Sequence, residues 1–247
     1  MTSSSDTTPR VLACAIAFNE KAKIVSVITR AQARDIPGVT DFMVCDDGSD
    51  DGTVEAVEAE GVKLIRHDVR RGVGAAIRSV VHYAREHQYD IVVILAGNDK
   101  DRPQEIPRVL APIADGRADF VQGSRYLPGG DYGNMPLYRR LATQFVHPWL
   151  FSLVTWRRIT DSTNGFRAFR VSLCDDARIN IDQPWLDAYE LEPYLFFKAI
   201  TLGFRVQEVP VTKIYPAHEL GYTKMAPIVG WWSILRPIFL LGFRLRT

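Results

Sequence analysis

The chain is 247 residues long, which is enough for one large domain with a substantial core. Its formal net charge is only +1, which excludes the strongly basic surface of many nucleic-acid-binding proteins, so we expect no nucleic-acid partner. The three cysteines lack the spacing of a metal site, and Cys14, Cys45 and Cys174 are expected to be buried, reduced thiols of a cytoplasmic protein.

Residues 1–9 form a Ser/Thr-rich leader without the apolar stretch of a signal peptide, and they are predicted to be disordered. The first half of the chain then alternates apolar runs of strand length with polar turns and helical segments. The predicted strands are Val11–Phe18, Phe42–Cys45, Lys63–Arg66 and Ile91–Ala96, and the predicted helices are Lys21–Arg34, one that begins at Val54, and Gly72 to about His87. This alternation predicts βαβ units in a mostly parallel sheet whose strands end along one edge.

The second half is less regular. It is predicted to hold strands at Phe120–Gly123 and Val206–Val211, helices at Leu137–Thr155 and Trp185–Leu202, and a flexible loop at Pro128–Gly133. There is no internal repeat and no linker, so we predict a single α/β domain over residues 10–220, followed by a basic, aromatic segment over residues 221–247.

Two acidic segments follow predicted strands directly. Asp46 and Asp47 are placed to accept hydrogen bonds from a ribose or a base; the alternative is an acidic turn that caps the next helix. Asp99 and Asp101 are two residues apart, so in an extended segment their side chains point the same way and can share Mg²⁺ or Mn²⁺. The diphosphate of a sugar nucleotide would complete that site, and the alternative is a solvated turn.

The glycines Gly72 and Gly74 open a predicted helix, as phosphate-binding glycines do. Ile77 stands where a dinucleotide fingerprint has its third glycine, and the chain contains no P-loop. Gly74 is therefore a weak candidate for a cofactor contact, and any nucleotide site is of another kind.

Several motifs resemble the family-2 glycosyltransferases with the GT-A fold, and most closely the dolichol-phosphate mannosyltransferases and related polyprenyl-phosphate glycosyltransferases. The matching segments, in the family's order, are residues 17–20 (AFNE), 46–53 (DDGSDDGT), 97–99 (GND), 122–126 (QGSRY), 164–170 (NGFRAFR), 208–211 (EVPV) and 221–224 (GYTK). The likeness spans roughly residues 10–235 and implies a Rossmann-like GT-A domain that uses a UDP-, GDP- or dTDP-sugar.

The resemblance also implies roles for individual residues. It assigns the nucleoside to Ala17, Asn19, Glu20, Asp46 and Asp47. The metal motif of the family falls on residues 97–99, where Gly97 replaces its first aspartate, so that a shifted Mg²⁺ or Mn²⁺ site beside Asn98 would use Asp99 and Asp101. Arg125, Arg167 and Lys224 match positions that contact phosphate groups, and the alternative for each is a solvated surface cation.

The acceptor follows from acid–base chemistry. A hydroxyl acceptor needs a general base, for which Glu190 and Asp161 are candidates, although Glu190 equally suits the first turn of a helix. A phosphate monoester, with a second pKa near about 6, is already ionised and needs countercharge more than a base. We therefore expect inverting transfer of the sugar to a polyprenyl phosphate. If the protein is an enzyme, the alternative acceptor is a hydroxyl group. If it is not an enzyme, the alternative is a catalytically silent module that binds a nucleotide sugar.

The C-terminal segment, residues 221–247, combines apolar and aromatic residues with basic ones and has no acid. Its apolar stretch, Ala226 to Phe243, is broken by Arg236 and Pro237, so we expect no transmembrane helix. The composition suits peripheral contact through residues 226–247 with the inner face of a membrane. The alternative is a terminal helix that packs on its own domain or on a second subunit.

Overall fold

The computed structural model describes residues 8–32, 36–215 and 229–246. Seven strands form one sheet in the order β3-β2-β1-β4-β6-β5-β7. In chain order they are β1 (Val11–Ala17), β2 (Asp41–Asp46), β3 (Lys63–Arg66), β4 (Ile91–Ala96), β5 (Phe120–Ser124), β6 (Arg167–Arg170) and β7 (Val206–Pro210). The predicted α/β class with a mostly parallel sheet is confirmed.

Helices flank the sheet on both faces. They are α1 (Lys21–Gln32), α2 (Thr53–Ala59), α3 (Val73–Glu86), α4 (Ile106–Ala114), α5 (Leu137–Leu141), α6 (His147–Thr155), α7 (Leu191–Thr201) and α8 (Val229–Gly242), with a π-helical segment at Ala142–Val146 and 3₁₀ turns at Pro103–Glu105, Val171–Asp175 and Pro184–Leu186. The predicted helix at Leu137–Thr155 therefore exists, but the π segment interrupts its α-helical hydrogen bonding. The helix predicted from Trp185 starts later, at Leu191.

The sequence analysis missed helix α4 and, at the centre of the sheet, strand β6. It pairs antiparallel with β4 on one side and with β5 on the other, whereas the other neighbouring strands pair parallel. Its four residues begin and end with arginine, so they lack the apolar run by which the other central strands were found. Only Ala168 and Phe169 have the apolar character expected of a central strand.

The core lies in two layers, one on each face of the sheet. Along β1, Leu12 and Cys14 pack into one layer, and Ala13 and Ala15 pack into the other. All three cysteines are free and buried, as predicted, and burial raises the pKa of Cys45 and of Cys174 to about 12. These thiols are consequently structural groups and not nucleophiles.

Strands β1 and β4 are adjacent and parallel at the centre of the sheet. The chain proceeds from β1 outward to β2 and β3 on one side, and then returns to β4 and continues on the other side. A crevice forms beyond the carboxyl ends of the strands at such a topological switch point, and this is where open α/β sheets bind ligands. Residues 17–20 and 97–101 border that crevice.

The C-terminal helix α8 packs against α6 and α7 through Ile238 and Leu241, which are buried. A Cβ atom placed on Gly242 would lie 2.6 Å from Cγ1 of Val154, so the backbones of α8 and α6 approach closely there. Within the described residues, no helix combines the length and the apolar character needed to cross a membrane.

Candidate active site

Two loops at the carboxyl edge are held together by polar contacts. The backbone N–H of Asn19 donates to the Ser49 hydroxyl at 2.8 Å, and its side-chain amide donates to Asp50 at 2.8 Å. Asn19 adopts a left-handed conformation with φ 53°, and the Glu20 N–H donates to Thr53 at 2.9 Å. Asn19 and Glu20, predicted to contact the nucleoside, therefore also fix the β1 loop against the β2 loop.

The Asp46–Asp47 pair is buried at the end of β2. Asp46 accepts hydrogen bonds from the N–H and hydroxyl of Ser49, at 2.8 and 2.5 Å. Asp47 accepts from His67 Nδ1 at 2.9 Å and from the backbone N–H groups of Arg71 and Gly72 at 2.9 and 2.8 Å. Both carboxylates thus order the turns around the crevice, and their nucleoside contacts stay predictions. The carbonyl of Ala17 is likewise engaged, by the N–H of Asp47 at 2.9 Å.

The loop after β4 carries the predicted metal ligands. Asp99 has φ 64° and lies against Arg30. Asp101 is 1% exposed; its carboxylate pairs with Lys213 Nζ at 2.6 Å and accepts the N–H of Ala96 at 2.8 Å. The two aspartates, predicted to share one ion, each have a cation as neighbour. Among the described residues, no group of three or more His, Cys, Asp and Glu side chains is arranged to hold a metal.

Between the two aspartates lies Lys100, which the sequence analysis did not single out. It is 7% exposed, and its Nζ is 4.9 Å from the ring centroid of Tyr215, over which Arg139 also lies at 5.3 Å. Burial, followed by the charges of Lys213 and Arg139, lowers the pKa of Lys100 to about 7. In sequence this lysine looks like part of a solvated turn, and only the fold reveals its burial.

Arg125 and Asp161 form a buried bidentate ion pair. Arg125 Nε and Nη2 donate to the two oxygens of Asp161 at 2.7 and 2.8 Å, and Nη1 reaches the hydroxyl of Tyr215 at 3.4 Å. Burial opposes ionisation of both groups, but their mutual attraction holds the pKa of Asp161 below and that of Arg125 above the ordinary values. If Arg125 contacts a phosphate, as predicted, it does so with a guanidinium that is already paired with a carboxylate.

Arg167, at the start of β6, is also buried within the protein. It donates to the carbonyls of Glu192 at 2.9 Å and Asn164 at 2.6 Å, and it lies 3.1 Å from the Glu192 carboxylate. A cavity of about 40 Å³, which is large enough for a water molecule, is bordered by Arg167, His147 and Thr163. Arg167 therefore joins β6 to α7, and its phosphate contact stays a prediction.

Gly74, a predicted cofactor contact, packs against another backbone segment. Its N–H donates to the carbonyl of Ala188 at 2.8 Å, and a Cβ atom at this position would lie 1.9 Å from the carbonyl oxygen of Leu186. Segment 186–188 thus covers α3 at this glycine, and the cofactor contact stays a prediction. The glycine is needed because two backbone segments pack directly on each other.

Glu190 lies just before α7 and is 5% exposed. Its Oε2 has no hydrogen-bond partner, and its Oε1 is 3.7 Å from Nη1 of Arg236 on α8. Burial raises the pKa of this carboxyl. A buried, incompletely paired carboxylate is a candidate base, as predicted, although no ligand contact tests the role. Lys224, the last predicted phosphate contact, lies outside the described residues.

The arrangement of sheet, switch-point crevice and acidic loops is the GT-A architecture of nucleotide-sugar glycosyltransferases. Glucosyl-3-phosphoglycerate synthase from Mycobacterium tuberculosis, solved in complex with Mn²⁺, uridine diphosphate and glucosyl-3-phosphoglycerate, has the same fold. Its match covers 97% of this chain and 81% of that chain, with a TM-score of 0.68 and 20% sequence identity. The chain therefore has the GT-A fold.

Residues 13–177 match the family Glycosyl transferase family 2, and the chain belongs to this family of glycosyltransferases. It is similar to the undecaprenyl-phosphate mannosyltransferase of Micrococcus luteus, with 33% identity over 236 residues that cover 90% of each chain. It is also similar to the dolichyl-phosphate hexose transferase of Haloferax volcanii, with 31% identity over 90% of this chain and 89% of that protein.

The divalent ion that the fold implies can be tested against the residues of the β4 loop. Structures of the mycobacterial synthase contain Mn²⁺ or Mg²⁺ together with uridine diphosphate. In this chain an aspartate is missing at Gly97, Asp101 is ion-paired with Lys213, and Asp99 lies against Arg30. Oxygen donors for such an ion must converge on one point without competing cations. The residues present fit the ion poorly.

Proposed function

We propose that this glycosyltransferase moves a sugar from a nucleotide sugar to a polyprenyl phosphate with inversion at the anomeric carbon. A phosphate oxygen of the lipid attacks the anomeric carbon, the bond from that carbon to the diphosphate oxygen breaks, and the nucleoside diphosphate leaves with its electron pair. The names of the Micrococcus and Haloferax relatives support this acceptor class, because both contain a polyprenyl-type phosphate. Of the predicted features, the bound Mg²⁺ or Mn²⁺ ion has the least support from the residues of the β4 loop.

The observation that carries the acceptor is an exposed apolar face on α5, α6 and α8, which we call the apolar face. Along the helix that starts at residue 137, large apolar residues recur at every fourth position: Leu137, Leu141, Phe145, Trp149 and Leu153. These five are between 48% and 67% exposed, and Trp156 beyond them is 91% exposed. Phe239 and Phe243 extend the face onto α8.

The charged residues within the segments that carry the apolar face are all basic. Residues 132–160 contain four arginines and no carboxylate, and residues 229–246 contain three arginines and no carboxylate. An apolar and aromatic surface with only basic neighbours is complementary to an anionic bilayer. The alternative occupant is a second copy of the chain, which would bury the same side chains in a homo-oligomer.

We infer that the enzyme works at the inner face of a membrane, where the apolar face contacts lipid and the crevice receives the phosphate head group. Arg236 links the two regions, because it lies on α8 and approaches Glu190. This placement extends the predicted membrane contact of residues 226–247 to include α5 and α6.

Binding to vesicles tests the membrane contact. We expect the chain to sediment with phosphatidylglycerol-containing vesicles and to bind pure phosphatidylcholine far less. Exchanging the exposed Arg158 and Arg246 for glutamine removes two charges worth about 1 kcal/mol each near an anionic surface, so partitioning should fall roughly 30-fold.

A double variant of Trp149 and Trp156 to serine should also reduce vesicle binding. The matched control is Val69→Ser, because Val69 is 67% exposed but lies in the loop after β3, away from the apolar face. A wild-type chain that ignores anionic vesicles and instead forms dimers, which the tryptophan variant dissociates, would contradict the membrane contact and support the homo-oligomer.

The function itself is tested with a panel of UDP-, GDP- and dTDP-sugars, each offered with a short polyprenyl phosphate or with a hydroxyl acceptor. We expect product only with the lipid phosphate and with one donor class. Turnover confined to hydroxyl acceptors would overturn the lipid assignment, and tight donor binding without any turnover would favour the silent binding module.

The hydroxyl acceptor is kept as a second candidate because of Glu190. If this carboxylate is the general base, Glu190→Gln should lower kcat by about 100-fold or more, since a positioned base contributes about 10²–10⁴-fold. If the acceptor is an already ionised phosphate, the variant should retain transfer to polyprenyl phosphate within a few-fold. The pH dependence separates the two cases further, because only a catalytic base leaves its own titration in the rate.

A further inference from the structure

The residues of the loop after β4 disfavour the binding of a metal cation. At Gly97, where the family has its first aspartate, an added Cβ would lie 3.0 Å from the carbonyl oxygen of Ile16 and 3.1 Å from Cβ of Ala17. These contacts are tighter than normal van der Waals spacing, so an aspartate here would require its neighbours to shift by a few tenths of an ångström. The packing therefore favours glycine at this position over the aspartate of the family.

The remaining aspartates already have positively charged neighbours. Both oxygens of Asp101 are engaged, one by the Lys213 ammonium at 2.6 Å and the other by the Ala96 N–H at 2.8 Å, so an ion would have to compete with the ammonium for this carboxylate. Breaking a buried ion pair leaves an uncompensated charge, which is costly. The Lys213 contact bridges residues 112 positions apart, so it belongs to the tertiary fold and not to a local turn.

The surroundings of this loop are rich in cations. Charged groups near Lys100 and Tyr215 include the cations Lys23, Arg125, Arg139 and Lys213 and the carboxylates Glu20, Asp101 and Asp161, while Asp99 beside Lys100 in the chain lies against Arg30. With Lys100 itself these are six cations and four carboxylates, and a net positive charge attracts a diphosphate, whose charge is negative. Lys100 is the central member, on the loop at the switch point.

We propose that the ammonium group of Lys100, and not an aspartate-bound divalent ion, supplies the positive charge that faces the leaving diphosphate. The inference rests on the proposed function, because it assumes that the crevice receives a nucleotide sugar. A lysine is a compact point charge and a common phosphate ligand in nucleotide sites. A diphosphate bound beside this lysine favours its charged form, and the ammonium then stabilises the negative charge that develops as the bond between the anomeric carbon and the diphosphate breaks.

Calorimetric titration with UDP, GDP and dTDP, in the presence of EDTA and then of Mn²⁺, tests the proposal on the full-length chain. We expect one nucleoside diphosphate to bind in EDTA with an affinity that Mn²⁺ changes by less than about three-fold. Lys100→Met should weaken that binding by about 10- to 100-fold, as expected for a lost charge-assisted contact. Lys100→Arg should retain most of it, and binding of the corresponding nucleoside should not change.

The controls separate the possible failures. Lys63→Met removes an exposed lysine at the start of β3 and should leave diphosphate binding as it is. Binding that requires Mn²⁺, together with an electron paramagnetic resonance signal of protein-bound Mn²⁺ that survives in Lys100→Met, would overturn the proposal but not the glycosyltransferase function. Failure of every nucleoside diphosphate to bind, with or without Mn²⁺, would contradict the proposed function and the inference together.

Discussion

Replacing Asp161 with alanine is expected to lower the free energy of unfolding by about 3–5 kcal/mol, the usual cost of removing one partner of a buried ion pair. The guanidinium of Arg125 would stay buried without its bidentate carboxylate, and the N–H of Thr163 would lose its acceptor at 3.1 Å. Urea denaturation followed by circular dichroism measures the change.

The matched control is Asp176→Ala, because Asp176 and Arg178 form the same bidentate contact, at 2.8 and 2.6 Å, on the surface. Loss of a solvent-exposed pair should leave the denaturation midpoint almost unchanged. Equal destabilisation in the two variants would contradict the assignment of Arg125–Asp161 as an internal support of the site.

The same pair predicts how stability depends on pH. Burial alone would raise the pKa of Asp161, but the charge and hydrogen bonds of Arg125 outweigh it and hold that pKa below its ordinary value. A carboxyl with a depressed folded-state pKa contributes stability above its unfolded pKa, near about 4, and loses it as the pH falls through the folded-state value. Asp161→Asn should therefore be less stable than the wild type at neutral pH, with a smaller difference in acid.

Much of the fold could be predicted because its central strands are local patterns. The predicted bounds of β4 agree with the structure, and those of β1 differ by one residue, since a strand covered on both faces is a continuous apolar run. The bounds of the edge strand β3 were also predicted, although its end residues Lys63 and Arg66 are exposed. Strand β6 could not be found from an apolar run. Its position depends on pairing with β4 and β5, whose paired residues lie 45 to 79 positions earlier in the chain, and its own four residues carry two arginines.

The sequence predicted that the acidic residues lie at one edge of the sheet, but it did not predict the partners of their side chains. Asp47 and Asp101 do lie at the carboxyl edge, because Asp47 directly follows β2 and Asp101 lies in the loop that follows β4. Their partners, His67 and Lys213, lie 20 and 112 residues away in the sequence, so no local sequence pattern predicts these contacts. For the same reason Lys100 could be recognised only once the fold had buried it.

Gly74→Ala is the second substitution with a large expected effect, because it tests the contact between α3 and segment 186–188. In an exposed helix interior, alanine in place of glycine stabilises by about 1 kcal/mol. Here the new methyl group would lie 1.9 Å from the Leu186 carbonyl oxygen and 2.8 Å from that of Ala188, so one backbone segment must move. We expect a loss of about 1–3 kcal/mol, as for other overpacked positions, measured as a shift in the urea midpoint.

The displacement should also reach Glu190, which follows the moved segment by two residues and whose Oε1 lies 3.7 Å from Arg236. If Glu190 is the base for a hydroxyl acceptor, Gly74→Ala should lower kcat. Donor affinity should fall as well only if α3 moves instead of segment 186–188, because the Gly72 N–H at the start of α3 donates to Asp47. Ser26→Ala, at an exposed position of α1, is the control for stability and should change neither quantity. A Gly74→Ala enzyme with an unchanged urea midpoint would show that segment 186–188 moves at little cost in stability. A phosphate could then approach the first turn of α3.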